Sequence, residues 1–159
     1  MTAPERALTL TTPSDREIRI ERIFDAPRDR VWRAFTEPEL IAQWWGRGKK
    51  LVVERMEVKR GGHWRFVVQN PKSVEGFEGR YREVTPPERI VWTAEWDGMP
   101  GYVAVDTVTF EDLADGRTKM VNTSLFFSTE DRNGALSSPM EKGLNESYAV
   151  LDRVLAALG

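Results

Sequence analysis

Histidine occurs once in this chain, at position 63, and cysteine not at all, so chemistry falls to carboxylates, tyrosines, hydroxyls, amides and indoles. One histidine cannot make a two-histidine metal site or an HExxH helix. The missing thiols remove disulfides, thiolate metal centres and a cysteine nucleophile. There is no GxSxG elbow, no GxxxxGKT phosphate loop and no GxGxxG after a strand; Gly46-Arg47-Gly48 reads as a loop between a helix and a strand. Glu57, just ahead of Gly61-Gly62, reads either as a pocket carboxylate or as an exposed acid at a strand end. Tyr81 either packs with its hydroxyl bound to backbone or touches a ligand. No pair of carboxylates stands at a spacing that singles it out for acid–base work, so no catalytic residue, metal ligand or cofactor is assigned. Binding groups are the better use of these residues: a few amides and hydroxyls set among many aromatics.

The elements that must position them begin with Ile18 to Gly46, IRIERIFDAPRDRVWRAFTEPELIAQWWG. Ile18 and Ile20 give a strand its apolar alternation. Asp25-Ala26-Pro27 ends it, and Pro27 suits a helix N-terminus because its missing N–H is not needed there. Val31, Trp32 and Phe35 form one face of a first short helix. Leu40, Ile41, Trp44 and Trp45 repeat that spacing in a second, before Gly46 and Gly48 break it. Segments with strand character follow at Leu51 to Lys59, His63 to Val68, Phe77 to Glu83, Arg89 to Trp96, Val103 to Glu111 and Thr118 to Phe127. Turn signals separate them at Gly61-Gly62, Asn70 to Ser73, Pro86-Pro87, Asp97 to Gly101 and Asp115-Gly116. From about Ser137, an apolar stripe of Met140, Leu144, Ser147 or Tyr148, Leu151, Leu155 and Leu158 predicts one long C-terminal helix. The predicted order is β-α-α, six strands, α.

Strand parity then sorts the candidates. Trp64, Phe66 and Val68 share one face of their strand, opposite His63, Arg65 and Val67. The aromatic set is expected to face the helix, with His63 on the surface. Phe77, Gly79 and Tyr81 form the matching face of the next strand, with Gly79 opening space between two rings. Ile90, Trp92, Ala94 and Trp96 continue the lining. Thr118, Met120, Asn122, Ser124 and Phe126 give the last strand a mixed face, in which Asn122 and Ser124 either orient a ligand or, with register shifted by one, meet solvent. Trp45, at the end of the second helix, is a candidate for ligand contact while Trp44 serves the core. On the C-terminal helix Met140, Leu144 and Ser147 face inward, and Gly143 leaves room for a ligand or for a strand backbone.

This order of segments resembles the START-like, or SRPBCC, superfamily with its helix-grip fold. The opening stretch, the Gly61-Gly62-His63-Trp64-Arg65-Phe66 turn, and Phe77 to Val84 followed by Pro86-Pro87-Glu88-Arg89-Ile90-Val91-Trp92 are most similar to the family named after the activator of the heat-shock chaperone ATPase. The resemblance implies an α+β fold in which a curved antiparallel sheet of six to seven strands wraps around a long C-terminal helix. It also implies a cavity between them that holds an apolar ligand in many relatives. It does not imply one reaction, since such folds serve carriers, receptors, cyclases and chaperone cofactors.

With 159 residues the chain suits one domain, and residues 1–16, rich in Thr, Pro and Ser, read as a flexible arm ahead of a START-like domain over 17–159. Its 23 basic and 25 acidic residues leave a net charge of −2, which gives no electrostatic reason to expect nucleic acid or an anionic membrane. Without an apolar leader or spanning run, a cytoplasmic location with no membrane insertion is the expectation. The leading function is a small hydrophobic or amphipathic ligand bound at Trp45, Trp64, Phe66, Phe77, Tyr81, Trp92, Met120, Asn122, Ser124, Met140, Gly143, Leu144 and Ser147. A chaperone ATPase-activating cofactor and a cyclase- or hydrolase-type enzyme are the alternatives. Oligomeric state is left open, a homodimer included.

Overall fold

The structure is a computed structural model that describes residues 7–159; of the arm expected over residues 1–16, residues 1–6 lie outside them. Chain order is β1 (Thr9–Thr11), β2 (Glu17–Phe24), α1 (Arg28–Thr36), α2 (Pro38–Trp44), β3 (Lys50–Met56), β4 (His63–Gln69), β5 (Val74–Thr85), β6 (Arg89–Trp96), β7 (Ala104–Asp112), β8 (Thr118–Leu125), α3 (Thr129–Ser137) and α4 (Met140–Leu158). All strand pairings are antiparallel, in the order β1-β2-β8-β7-β6-β5-β4-β3. This is the helix-grip arrangement, α+β, with α4 packed against α1 and α2.

Three features depart from the sequence reading. The sheet has eight strands, because Thr9–Thr11 pairs with Arg19 to Glu21 and Leu8 is buried, so part of the arm is held by β2. Backbone pairing there needs no strong side-chain pattern, which is why a Thr-rich stretch concealed it. A separate helix, α3, precedes α4, and α4 starts at Met140 rather than near Ser137. The Ser128 hydroxyl caps α3 by accepting the Asp131 N–H at 3.0 Å, with Glu130 and Asp131 favourably placed in the first turn. Ser138-Pro139 then divides the two helices. Gly79 does not open space: a Cβ there would collide with the Thr93 carbonyl and the Trp64 indole, so its bare backbone permits close approach of β6.

The two halves of α4 have different surroundings. Its C-terminal half buries Leu151, Val154 and Leu155 in a core built with Ile18, Ile20 and Phe24 of β2, Val31, Ala34 and Phe35 of α1, and Val108, Phe110 and Met120 of β7 and β8. Arg22 shares the inner face of β2 and grips Asp152 of α4 through two hydrogen bonds of 2.7 and 2.9 Å. Rings knit this end together: Phe35 meets Trp44 at 4.8 Å and Phe110 at 5.1 Å, and Tyr148 meets Phe24 edge-on at 5.6 Å. The N-terminal half of α4 carries the small or flexible residues Met140, Gly143, Leu144 and Ser147. It cannot fill the widening end of the sheet. Among the described residues no helix is long and apolar enough to cross a membrane.

Candidate functional site

Where α4 leaves the sheet unfilled, a pocket of about 490 Å³ lies between it, α2 and the inner faces of β4 to β8. Strand alternation supplies its walls. Trp64 and Phe66 of β4, Phe77 and Tyr81 of β5, and Trp92 and Ala94 of β6 all point the same way because within each strand they are two or four residues apart and their strands are in register: Phe66 opposite Phe77, Tyr81 opposite Trp92. Trp45 closes the aromatic side. As the residue that ends α2 it turns away from the core, and its indole meets Phe77, Phe66 and Trp64 at 5.1, 5.2 and 6.4 Å. Its neighbour Trp44 is 3% exposed and donates Nε1–H to the Ala34 carbonyl at 2.9 Å. Met140, Gly143, Leu144 and Ser147 of α4 form the roof.

The deep wall is polar. Asp106 on β7 stands between two cross-strand partners, Trp92 of β6 and Ser124 of β8. Trp92 donates its indole N–H to Asp106 Oδ2 at 3.0 Å, and Ser124 Oγ makes a hydrogen bond with Oδ1. Burial raises the Asp106 carboxyl above the ordinary carboxylate range, opposed in smaller part by those two hydrogen bonds. What surface Asp106 keeps faces the pocket. Asn122, two residues before Ser124, shares the face and lines the pocket beside it. Tyr148 of α4 lines the same end; burial raises its phenol, and the Asp106 charge raises it further while Arg22 opposes. Tyr81 is raised by burial.

Two buried side-chain polar atoms among the described residues have no hydrogen-bond partner, Asn70 Oδ1 and Asn122 Oδ1. Both residues belong to the wall of this pocket. The mouth lies where the lining residues Arg47 and Lys49 are exposed. Gly46, Arg47 and Gly48 all have positive φ, near 76°, 67° and 74°, and Arg47 holds that unusual backbone with its N–H on Ser147 Oγ at 2.8 Å. Its guanidinium lies across Gly143 and approaches Glu146 at 3.5 Å; a Cβ on Gly143 would sit 2.9 Å from Arg47 Nε. The close neighbour at Gly143 is therefore the Arg47 side chain rather than a strand backbone.

Of the expected ligand-binding residues, Trp45, Trp64, Phe66, Phe77, Tyr81, Trp92, Asn122, Ser124, Met140, Gly143, Leu144 and Ser147 come together around the pocket. Met120 does not. It is fully buried opposite Phe110, one inward step too far along β8, inside the core. Trp96 lies at the end of β6 and is 39% exposed, and Ile90 is in the core. Glu57 is off the pocket, its carboxylate accepting the His63 N–H at 2.9 Å and held below the usual range by that bond and by Arg55. His63 sits on the outer face near Arg55 and Glu78, where Arg65 bridges Glu54, Glu78 and Asp97. The residue the sequence reading missed is Asp106. Its signal was there: Asp106 has the parity of Val108 and Phe110, an acid on the apolar face of its strand. Among the described residues no three His, Asp or Glu side chains gather as a metal site would require.

Over residues 25–156 the chain matches the family described as Activator of Hsp90 ATPase homolog 1-like protein. No functionally curated protein matches it. Solved structures do: a Rhodobacter sphaeroides protein is 26% identical, with 96% of this chain and 99% of that one covered and a TM-score of 0.87. A Staphylococcus epidermidis protein is 25% identical, with 95% of each chain covered and a TM-score of 0.81. An Arthrobacter aurescens protein, 23% identical over 94% of this chain and 91% of that one, shares the fold with a TM-score of 0.84.

Proposed function

Because the chain belongs to the family of Activator of Hsp90 ATPase homolog 1-like proteins, whose fold sets a curved sheet against a long helix, we propose that it binds a small apolar or amphipathic molecule beneath α4. One observation carries the reading: a pocket in the volume range of small-molecule sites, walled by Trp45, Trp64, Phe66, Phe77, Tyr81 and Trp92, with Asp106, Asn122 and Ser124 on its deep wall. Aromatic walls supply apolar contact with little loss of side-chain freedom, and a few placed polar groups fix orientation. Trp45 is the residue that an arriving ligand meets between the mouth and the aromatic wall. Native mass spectrometry of freshly purified protein tests the reading. A bound species of a few hundred daltons, displaced when Phe66→Trp narrows the pocket, is the expected result. Protein that stays free of ligand there, and after exposure to a panel of apolar compounds, would overturn it.

A second reading, a cofactor that stimulates a heat-shock chaperone's ATPase, rests on the family description. Measuring the chaperone's ATP turnover with and without this protein tests it, and an unchanged rate removes it.

A further inference from the structure

The deep wall of the pocket is chemically more specific than its aromatic side. We propose that Asn122 and Ser124 of β8, backed by Asp106 of β7, bind a hydroxyl group, alcoholic or phenolic, carried on the buried end of an otherwise apolar ring-containing ligand. The proposal rests on the ligand-binding reading of the pocket and narrows its ligand class.

Hydrogen-bond accounting leads there. Asp106 Oδ2 accepts the Trp92 N–H and Oδ1 accepts the Ser124 hydroxyl, so both carboxyl oxygens are engaged within the protein. Ser124 Oγ, its hydrogen committed to Asp106, keeps lone-pair capacity for a donor in the pocket that it lines. Two residues along the same face, Asn122 presents a carboxamide oxygen with no partner. The wall thus offers two acceptors one inward step of a strand apart, roughly 7 Å between backbones. A hydroxyl answers them, since its hydrogen goes to Asn122 Oδ1 with Ser124 Oγ as the neighbouring acceptor. An ether or ketone oxygen has no hydrogen to give and answers neither. A hydrocarbon likewise leaves Asn122 unpaired. The aromatic side wall of Trp45, Trp64, Phe66 and Phe77 favours a flat ring as the carrier.

Calorimetric titration of the protein with naphthol, methoxynaphthalene and naphthalene tests this, because the three share one ring system and differ in the buried polar group. Naphthol is expected to bind about tenfold more tightly than methoxynaphthalene, the scale of one satisfied buried hydrogen bond. In Asn122→Leu, checked for folding by circular dichroism, that preference should vanish. Ser124→Ala should reduce the preference on its own and keeps the test decisive if the leucine variant does not fold. Equal affinity of the wild-type protein for all three compounds would overturn the hydroxyl site and leave the ligand-binding pocket standing. A preference unchanged in Asn122→Leu and Ser124→Ala would also overturn it. Binding of none of the three would overturn the pocket reading itself.

Discussion

Asp106→Asn isolates the buried acid. Asparagine keeps the shape, can still accept the Trp92 indole N–H and can donate to Ser124 Oγ, so the substitution removes ionisation while leaving the contacts nearly intact. In the folded protein the carboxyl is raised above its ordinary value of 3.8, with burial as the main cause. Between that value and the folded one, the unfolded chain has released its proton and the native protein has not. The native state then binds more protons, and stability falls as pH rises. The stabilisation is complete below the unfolded value and lost as pH climbs through the folded value. The steepest slope one group can give is about 1.4 kcal/mol per pH unit. For a chain of this length that is a midpoint change of about 3–5 °C per unit. Tyr148 of α4 also faces this end, and burial raises its phenol further above its ordinary value of 10.0, away from the span between pH 3 and 8. Thermal midpoints of both proteins should be measured across that span, so that other carboxylates cancel in the difference. The asparagine variant should match the wild type at the acid end, overtake it as pH rises, and then hold a constant lead. A difference that is flat throughout, or that grows on acidification, would refute the argument that Asp106 is enclosed.

Three further outcomes are expected. Asn122→Leu should raise the thermal midpoint of the ligand-free protein, because an unpaired buried amide costs about 1–3 kcal/mol; a lowered midpoint would show that the protein satisfies Asn122 itself. Gly143→Ala should stabilise by up to about 0.8–1.0 kcal/mol in denaturant titration, since helix interiors disfavour glycine and the nearest atoms to the added Cβ belong to the flexible end of Arg47. Asp152→Ala should cost about 2–3 kcal/mol, toward the low end for a buried pair because Asp152 is 39% exposed on its side chain, and the paired change Arg22→Leu with Asp152→Leu should recover most of it.

Legibility differed sharply between elements. Alternation and helical stripes are properties of neighbouring residues, so the short helices around Val31 and Leu40, the strands from His63 to Leu125 and the stripe of α4 could be read directly. The face shared by Trp64 and Phe66, and that shared by Asn122 and Ser124, followed from the two-residue repeat alone. Thr9–Thr11 could not be read so, because an edge strand is made by the backbone of its partner. Which residues on a correct face reach the pocket was likewise undetermined. Met120 and Asn122 differ by one inward step, yet one is sealed under Phe110 and the other meets the pocket, a distinction set by where α4 stops filling the sheet.

The amino-acid sequence by itself determined the types and order of the elements other than β1 and α3, the faces of the strands and the limits on chemistry that come from one histidine and no cysteine. Only the tertiary structure decided that Asp106 sits between Trp92 and Ser124, that Arg47 lies against Gly143, and that, among the described residues, two asparagine oxygens in the pocket lining lack partners. The physical reason is range. Alternation and propensity act over a few residues, whereas the partners of these groups lie 14, 18 and 96 positions away in the chain and meet only when strand register and helix docking bring them together.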